Sequence, residues 1–262
     1  NYVRCHDDIG LGFDDADIAR AGYDPSAHRR FLLDWFTGGF DESPARGRPF
    51  GKNLATGDAR IAGSLASLAG LESALESGDE EEIQRRIDLV LTLHGIVLAF
   101  GGIPLLYYGD ELGTLNDYGY EHDEHRSNDA RWLHRPQMDW DRAKRRHDRG
   151  TPEQRIFAGL RHMIAIRKET PAFADFNNRE LLDPQNPHLF AFLRSHPMKP
   201  SERVLVVANF DDQPEALDLE DLGGRGRFEQ GVLIDRISGA PLNVESGRLT
   251  VAPYGMVWAT AR

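Results

Sequence analysis

The sequence contains a single cysteine, Cys5, so it cannot form an internal disulfide bond. It contains no apolar run that approaches the roughly 18 residues of a membrane-spanning helix. Basic residues are in deficit, with 31 lysines and arginines against 42 acidic residues and a formal net charge of −11. An acidic chain without a concentrated basic stripe is a poor partner for nucleic acids or anionic membranes. A small neutral ligand such as a sugar fits this composition better.

The sequence also lacks an initiator methionine and a recognisable signal peptide. Its first residue, Asn1, lies in what the residue types predict to be the middle of a strand. We therefore expect the natural N-terminus to lie upstream. The sequence therefore does not define the cellular location, although it slightly favours a soluble, cytoplasmic protein.

Periodicity and capping signals divide the first part of the chain into helices, buried strands and long polar loops. The predicted helices are 26–39, 59–75, 79–100 and 151–169. Acidic residues crowd the first turn of the third helix, and the fourth has Thr151 as its N-cap with Gln154 completing a capping box. The apolar runs 1–6 and 103–109 are predicted to be strands of a parallel sheet.

After Pro171 the pattern changes to short strand-like runs separated by turn residues such as Gly247 and the pair Gly223–Gly224. This pattern predicts an antiparallel β domain, a sandwich, over residues 172–262. Residues 1–171 hold only two strand–helix units, which cannot close a sheet by themselves. They are either an open α/β domain or the last quarter of an eight-stranded (β/α) barrel.

Two carboxylates, Asp7 and Asp8, stand directly after His6 where the first predicted strand ends. Adjacent like charges are costly unless something compensates them. By itself this triplet is no more than the capped start of a loop. In a barrel, however, the loops after the strand ends carry the functional groups.

Two segments resemble motifs of the α-amylase clan. "NYVRCHDDIG" (1–10) resembles the strand-seven motif, which ends in His-Asp, and "GIPLLYYGDELG" (102–113) resembles the strand-eight motif. The segments "AHRRFL", "ARGRPF", "TGDARIAG" and "ARWLHRP" are similar to amylosucrases and sucrose hydrolases within the clan. The resemblance implies strands seven and eight of a (β/α)8 TIM barrel, with their helices, followed by a β domain.

The resemblance assigns catalytic roles to the triplet: Asp7 as the transition-state stabiliser and His6 as its partner in binding sugar hydroxyls. Asp8 would be a substrate-binding acid. Such roles suit a retaining glycosidase, because a fixed carboxylate stabilises the positive charge that develops on the sugar ring.

Further residues match substrate-binding positions of the family. Arg29 and Arg60 match positions that line the substrate and acceptor subsites, and Phe31 matches an aromatic residue near the pocket. Arg131 matches an arginine that pairs with an aspartate of the N-terminal half to close the glucosyl pocket. Arginine suits this task because its planar fork holds a carboxylate bidentately. The structural alternatives are solvated helix charges for the arginines and a core position for Phe31.

A retaining mechanism needs two carboxyl groups about 5–5.5 Å apart. In the clan these follow strands four and five, which lie outside this chain, and Asp110 with Glu111 matches a structural turn instead. The resemblance therefore implies an enzyme in the full-length parent and an inactive 262-residue chain. It implies no cofactor, and a missing N-terminal part of the same polypeptide as partner.

The expected activity is transfer of glucose from sucrose to an α-1,4-glucan or to water. Leu11 and Pro44 replace aromatic residues of the family in loops that border the acceptor subsites, which puts glucan polymerisation in doubt. The alternatives are a sucrose hydrolase, a trehalose synthase or α-glucosidase of the same clan, or a truncated carbohydrate-binding protein without catalysis.

Two other features contain residue types that can bind metals or act as nucleophiles. His122 and His125 lie three residues apart among acids, but their spacing is not that of a zinc site, and a solvated loop is favoured. Cys5 is expected to be a small core residue whose side chain points away from His6 and Asp7. The sequence predicts no metal site.

Overall fold

A computed structural model describes residues 1–220, 222, 228 and 232–261. The chain divides into two compact units. The first unit comprises residues 1–3, 87–106 and 155–262, and the second comprises residues 4–86 and 107–154. No helix of the described residues combines the length and the apolarity that crossing a membrane requires. The predicted domain boundary after residue 171 stays a prediction.

Seven α-helices and ten strands follow one another in the described residues. The helices are α1 (Asp15–Arg20), α2 (Pro25–Phe36), α3 (Leu65–Leu68), α4 (Leu71–Ser77), α5 (Glu80–Phe100), α6 (Trp140–Lys144) and α7 (Pro152–Glu169). The strands are β1 (Arg48–Phe50), β2 (Arg60–Ala62), β3 (Arg179–Leu182), β4 (Leu189–His196), β5 (Lys199–Asn209), β6 (Glu215–Asp218), β7 (Leu233–Asp235), β8 (Val244–Glu245), β9 (Arg248–Val251) and β10 (Met256–Ala261). Short 3-10 turns connect several of them.

The two longest helices follow the predicted bounds closely, because their sequences carry strong start signals. The Asp79 carboxylate accepts hydrogen bonds from the backbone N–H groups of Glu81 and Glu82 at the start of α5. At the start of α7 the Thr151 hydroxyl accepts from the N–H of Gln154 at 3.2 Å, as the capping box predicts. The Gln154 side chain, however, accepts from the N–H of Gly150 rather than from the cap residue itself.

The predicted antiparallel β domain is confirmed. One sheet has the order β3-β4-β5-β10-β7 and a second the order β6-β9-β8, and every strand pair is antiparallel. Alternate residues of both sheets bury their side chains in one common core, which includes Leu193, Leu205, Leu217, Leu249 and Val251. This shared core is what makes the two sheets a sandwich. The predicted turn at Gly223–Gly224 lies outside the described residues.

The two predicted parallel strands, 1–6 and 103–109, are not strands in the structure. The backbones of the two segments do pair at one point: the Asn1 nitrogen donates to the Ile103 carbonyl, and the Leu105 N–H donates to the Asn1 carbonyl, both at 2.8 Å. This is the bonding pattern of a parallel pair. The pairing extends no further, since a buried parallel strand needs neighbours on both sides.

The apolar side chains of these segments are correspondingly exposed rather than buried. Tyr2 is 57% exposed, Ile103 71% and Leu105 50%. The prediction of a fully buried strand was therefore wrong for the second segment. An apolar surface of this kind favours association.

The predicted helix over 59–75 was also wrong in its first part. Arg60–Ala62 forms β2, which pairs antiparallel with β1, and the helical part is split into α3 and α4. Gly70, with a φ of 86°, separates the two short helices. Isoleucine is common in strands and arginine and alanine in helices, so the pairing with β1 decided the outcome for these three residues.

Helix α2 begins one residue earlier than predicted, and its cap is a different residue. The Asp24 carboxylate, rather than Ser26, caps the helix by accepting from the N–H of Ala27 at 2.8 Å. Pro25 stands at the first helical position, where its missing N–H has no helical partner to lose.

Candidate functional site

The adjacent carboxylates of Asp7 and Asp8 lie in different surroundings. The Asp8 side chain is only 6% exposed, and its Oδ2 lies 3.2 Å from Arg60 Nη1. The Asp7 side chain is 56% exposed, and its Oδ1 lies 3.8 Å from Arg131 Nη1 and 3.7 Å from Arg135 Nη2. Separate arginines thus compensate the two charges. Only Asp7 presents its carboxylate openly to a ligand.

The imidazole of His6 lies beside Asp7, with Nε2 3.5 Å from Asp7 Oδ2. Cys5 lies on the same side, because its Sγ lies within 4.8 Å of a ring nitrogen of His6 and a carboxylate oxygen of Asp7. The prediction that Cys5 points away from this pair was therefore wrong. Side chains alternate between faces only in an extended strand, and this segment is not one.

Arg131 is bound to a residue that the sequence analysis did not single out. Its Nε and Nη2 donate to both carboxylate oxygens of Asp129, at 2.8 to 3.2 Å. This hydrogen bonding holds the pKa of Asp129 below its ordinary value. The predicted pairing of Arg131 with an upstream aspartate stays a prediction.

An aromatic ring, also missed from the sequence, holds two of the arginines. The guanidinium of Arg131 lies 4.8 Å from the ring centre of Phe50, and that of Arg60 lies 5.4 Å from it. Cation–π contacts of this kind favour a fixed position for a guanidinium. Phe50 therefore links the arginine beside Asp7 with the arginine beside Asp8.

Arg29 contacts the loop that follows Asp8. Its guanidinium donates to the carbonyls of Leu11, at 3.1 Å, and Phe13, at 2.5 Å, and to the carboxylate of Asp15. These bonds give the loop a defined course. The role that the sequence suggests for Arg29, a substrate ligand, stays a prediction.

Phe31 belongs to a partly exposed aromatic cluster on α2. Its ring centre lies 5.9 Å from that of Trp35 and 5.5 Å from that of Phe40. The structure places it in neither the carboxylate site nor the lining of the cleft described next.

A cleft of about 540 Å³ opens in the same unit. Its lining includes Leu11, Arg29, Arg30, Asn53, Thr56 and Arg60. The volume falls within the range of roughly 300–1,000 Å³ that is usual for ligand pockets. Arg60 joins this cleft to Asp8, so the cleft borders the carboxylate site.

Asp110 and Glu111 are occupied in structural contacts, in agreement with the turn that the family resemblance implies. Arg4 Nε and Nη2 donate to Asp110 Oδ1 at 3.1 and 2.7 Å, and both side chains are almost fully buried. Within the described part of the chain Asp110 Oδ2 has no hydrogen-bond partner. Burial raises the pKa of Asp110 to about 6, although Arg4 opposes the shift. Glu111 accepts from the Gly109 N–H at 2.7 Å.

His134 is a buried histidine whose protonation the structure defines. The Gly63 N–H donates to its Nδ1 at 3.0 Å, so the neutral ring carries its proton on Nε2, which donates to the His6 carbonyl at 3.1 Å. Burial lowers the pKa of His134 to about 4. The ring is therefore neutral at pH 7.

His134 and Asp110 should affect the pH dependence of stability in opposite directions. As the pH falls from 6.5 to about 4, the unfolded chain protonates His134 and the folded chain does not, so folding loses stability. As it falls from about 6 to 3.8, the folded chain protonates Asp110 first, so folding gains stability. Each effect amounts to about 3 kcal/mol at most.

We therefore expect an Asp110→Asn variant to lose stability more steeply than the wild type between pH 6 and pH 4, and a His134→Gln variant to lose it less steeply. Urea unfolding at several pH values measures both slopes. Equal slopes in all three proteins would show that neither pKa is shifted.

Among the residues that the structure describes, two groups of side chains bring possible metal-ligand atoms within 4.8 Å of one another: Cys5, His6 and Asp7, and His188, Asp211 and Glu215. In the second group His188 Nδ1 lies 2.8 Å from Asp211 Oδ2. In the first, the side chains of His6 and Asp7 are largely exposed to solvent. We assign no metal to either group.

Sequence reasoning thus missed Phe50, Asp129, His134 and Arg135. Three of them lie in or beside the segment "ARWLHRP" (130–136), in which the family resemblance assigns a role to Arg131 alone. The His-Arg pair three residues after the candidate binding arginine, inside the same segment, is a usable signal. Phe50 gave none, because an apolar residue in a Gly/Pro-rich loop has no characteristic partner.

Residues 179–258 match the family model described as the C-terminal domain of maltogenic amylase. These residues include almost all of the two β sheets. The β region therefore has the antiparallel fold of the C-terminal domains of α-amylase-family enzymes.

Solved structures of larger proteins share the fold of most of the chain. An AmyP variant in complex with maltotriose is 15% identical with a TM-score of 0.53, over 75% of this chain and 38% of AmyP. Pullulanase from Bacillus acidopullulyticus is 17% identical with a TM-score of 0.50, over 76% of this chain and 23% of the pullulanase. The chain thus spans less than two fifths of either protein. These neighbours are enzymes of the α-amylase clan.

Proposed function

We propose that residues 1–262 are part of a retaining enzyme that transfers an α-glucosyl unit, and that Asp7 stabilises the transition state of that transfer. The observation that carries the proposal is the open carboxylate of Asp7, which lies between the guanidinium groups of Arg131 and Arg135 and beside His6. A carboxylate fixed in this way can oppose the positive charge of an oxocarbenium-like sugar.

The other side chains have complementary roles in this proposal. His6 and Arg131 bind hydroxyl groups of the glucosyl unit. Asp8, held by Arg60, shapes the border of the cleft, and the cleft receives the leaving group or the acceptor. Arg29 keeps the loop after Asp8 in place and adds its guanidinium to the cleft wall.

The nucleophile and the general acid would come from an upstream part of the same polypeptide. Asp8, Asp110 and Glu111 are engaged in the contacts described above and do not form a second pair beside Asp7. The chain would then supply the last two strands and helices of a (β/α)8 barrel, with residues 1–6 and 103–109 completed by their missing neighbours. The apolar side chains exposed on these segments support this arrangement.

Sucrose is the donor that we propose first, because the segments around Asp7, Arg29, Arg60 and Arg131 resemble sucrose-acting members of the clan. Glucose would pass to an α-glucan or to water. Leu11 lines the cleft, and its small side chain where the family has an aromatic one favours water as the acceptor.

A maltooligosaccharide is the second candidate donor. Its support is that AmyP, which shares the fold, was solved in complex with maltotriose. An amylase-type C-terminal domain over residues 179–258 is compatible with both donors.

The test uses the complete polypeptide that carries residues 1–262, incubated separately with sucrose and with maltotriose. We expect release of fructose or glucose from at least one of them, and none from the 262-residue chain alone. An Arg131→Met variant of the complete polypeptide should lose at least about tenfold in kcat/KM, because one charge-assisted contact contributes roughly 1.5–3 kcal/mol.

The matched control is Arg20→Met. Arg20 is exposed, and its one ion pair within the described residues is with the exposed Asp17, so this variant should keep the activity of the wild type. Equal activity of the two variants, or release of sugar by the 262-residue chain alone, would contradict the proposal.

A further inference from the structure

The peptide bond between His6 and Asp7 is held by two side chains from the segment that follows Arg131. The carbonyl of His6 accepts a hydrogen bond from His134 Nε2 at 3.1 Å and another from Arg135 Nε at 2.6 Å. Because a peptide group is planar, fixing this carbonyl also fixes the direction of the Asp7 N–H and the position of the Asp7 Cα atom.

His134 ties this carbonyl to a second segment of backbone. Its Nδ1 accepts from the Gly63 N–H at 3.0 Å, directly after β2, and the ring is 1% exposed. Close by, Ile9 and Ile61 exchange both backbone hydrogen bonds, at 2.8 and 2.9 Å. The segment that contains Asp7 and Asp8 is thus attached to the β2 segment at both of its ends.

Arg135 connects the same carbonyl to the carboxylate itself. While its Nε donates to the carbonyl of His6, its Nη2 lies 3.7 Å from Asp7 Oδ1. Its guanidinium also lies 5.7 Å from the ring centre of Trp132, and its side chain is only 19% exposed. The rigid, planar guanidinium of Arg135 therefore contacts both the Asp7 carboxylate and the backbone carbonyl before it.

We infer that His134 and Arg135 are positioning residues for the proposed site: they hold the His6 carbonyl from two sides and thereby set the direction of the Asp7 carboxylate. This inference rests on the proposed function only for its catalytic consequence. Neither side chain needs to touch the sugar. A displacement of about 1 Å in a group that acts on the transition state lowers turnover by roughly 10²-fold.

The first experiment uses the 262-residue chain and observes Asp7 directly. The side-chain carboxyl carbons of aspartate are labelled with ¹³C, and the Asp7 signal is assigned by its loss in Asp7→Asn. We expect this signal to move in His134→Leu and to return close to its original position in His134→Gln, whose amide can accept from Gly63 and donate to His6. The signal of Asp17, which is exposed and pairs with Arg20, should stay unchanged in all variants.

An Asp7 signal that is the same in wild type and His134→Leu overturns the inference. Arg135→Gln is the second variant, in case His134→Leu does not fold. It removes the link between the carbonyl and the carboxylate and should move the Asp7 signal as well. An unmoved signal in a folded Arg135→Gln protein also overturns the inference.

The second experiment measures turnover in the complete polypeptide. We expect His134→Leu to lower kcat about 10²-fold with KM changed less than about twofold, and His134→Gln to restore most of kcat. A purely structural role predicts a lower melting temperature and no rescue by glutamine. It also predicts a normal kcat at temperatures well below that melting temperature. If the wild type transfers no glucosyl unit at all, the proposed function fails, and the carboxyl signals alone decide the positioning roles.

Discussion

An Asp7→Asn variant of the complete polypeptide should lose two to three orders of magnitude in kcat while its melting temperature changes little. Removal of one preorganised electrostatic group costs about 10²–10³ in turnover. The amide has the shape of the carboxylate but no charge to oppose a developing oxocarbenium ion. Folding should be unaffected, because Asp7 is 56% exposed and its ion pairs with Arg131 and Arg135 are 3.8 and 3.7 Å long.

Asp8→Asn is the matched comparison, since it makes the same chemical change one residue further on. Asp8 is buried against Arg60, so this variant should mainly raise KM or shift transfer towards hydrolysis, and should melt lower than Asp7→Asn. Steady-state kinetics and thermal melts distinguish the two. Near-native turnover in Asp7→Asn would remove Asp7 from the catalytic residues and leave the His-Asp-Asp triplet as a structural loop.

Loss of the buried Arg4–Asp110 pair should have the largest effect on stability. Arg4→Met leaves a buried carboxylate without its cation, and breaking such a pair costs about 3–5 kcal/mol. Because the pKa of Asp110 is about 6 even beside Arg4, the carboxyl group can take up a proton instead at lower pH. The loss should therefore be largest at pH 8 and clearly smaller at pH 5, as urea unfolding can measure.

The double variant Arg4→Met, Asp110→Leu provides the control for this prediction. It replaces both charges with apolar groups and should recover most of the lost stability. The exposed pair of Arg20 and Asp17 offers a second control, since Arg20→Met should change stability by less than about 1 kcal/mol. A loss below 1 kcal/mol in Arg4→Met at pH 8 would show that the buried pair is not important for folding.

The parts of the fold that could be predicted are those with local signals. Helices α5 and α7 begin with side chains that cap them, and the β domain alternates apolar and polar residues between turns. The strands expected at 1–6 and 103–109 depend instead on neighbours that their own residues do not encode. Residues 60–62 became a strand only because β1 lies beside them.

The candidate site divides in the same way. His6, Asp7, Asp8 and Arg131 stand in motifs that could be recognised along the chain. The contacts that organise them join residues far apart in sequence, such as the His134 ring to the His6 carbonyl and the Arg131 guanidinium to Phe50. Such contacts depend on how the backbone folds, and the spacing of residues in the sequence does not predict them.

The anomeric form of the first product tests most directly whether this chain belongs to a retaining glucosyl-transferring site. With the complete polypeptide, proton NMR can follow the product that contains the cleaved anomeric carbon, which is glucose from sucrose or the newly formed reducing end from maltotriose, before mutarotation mixes the anomers. We expect the α anomer to form first, because a retaining enzyme passes through two displacements. If the β anomer forms first, the enzyme inverts, and the role proposed for Asp7 beside a covalent glucosyl intermediate is wrong.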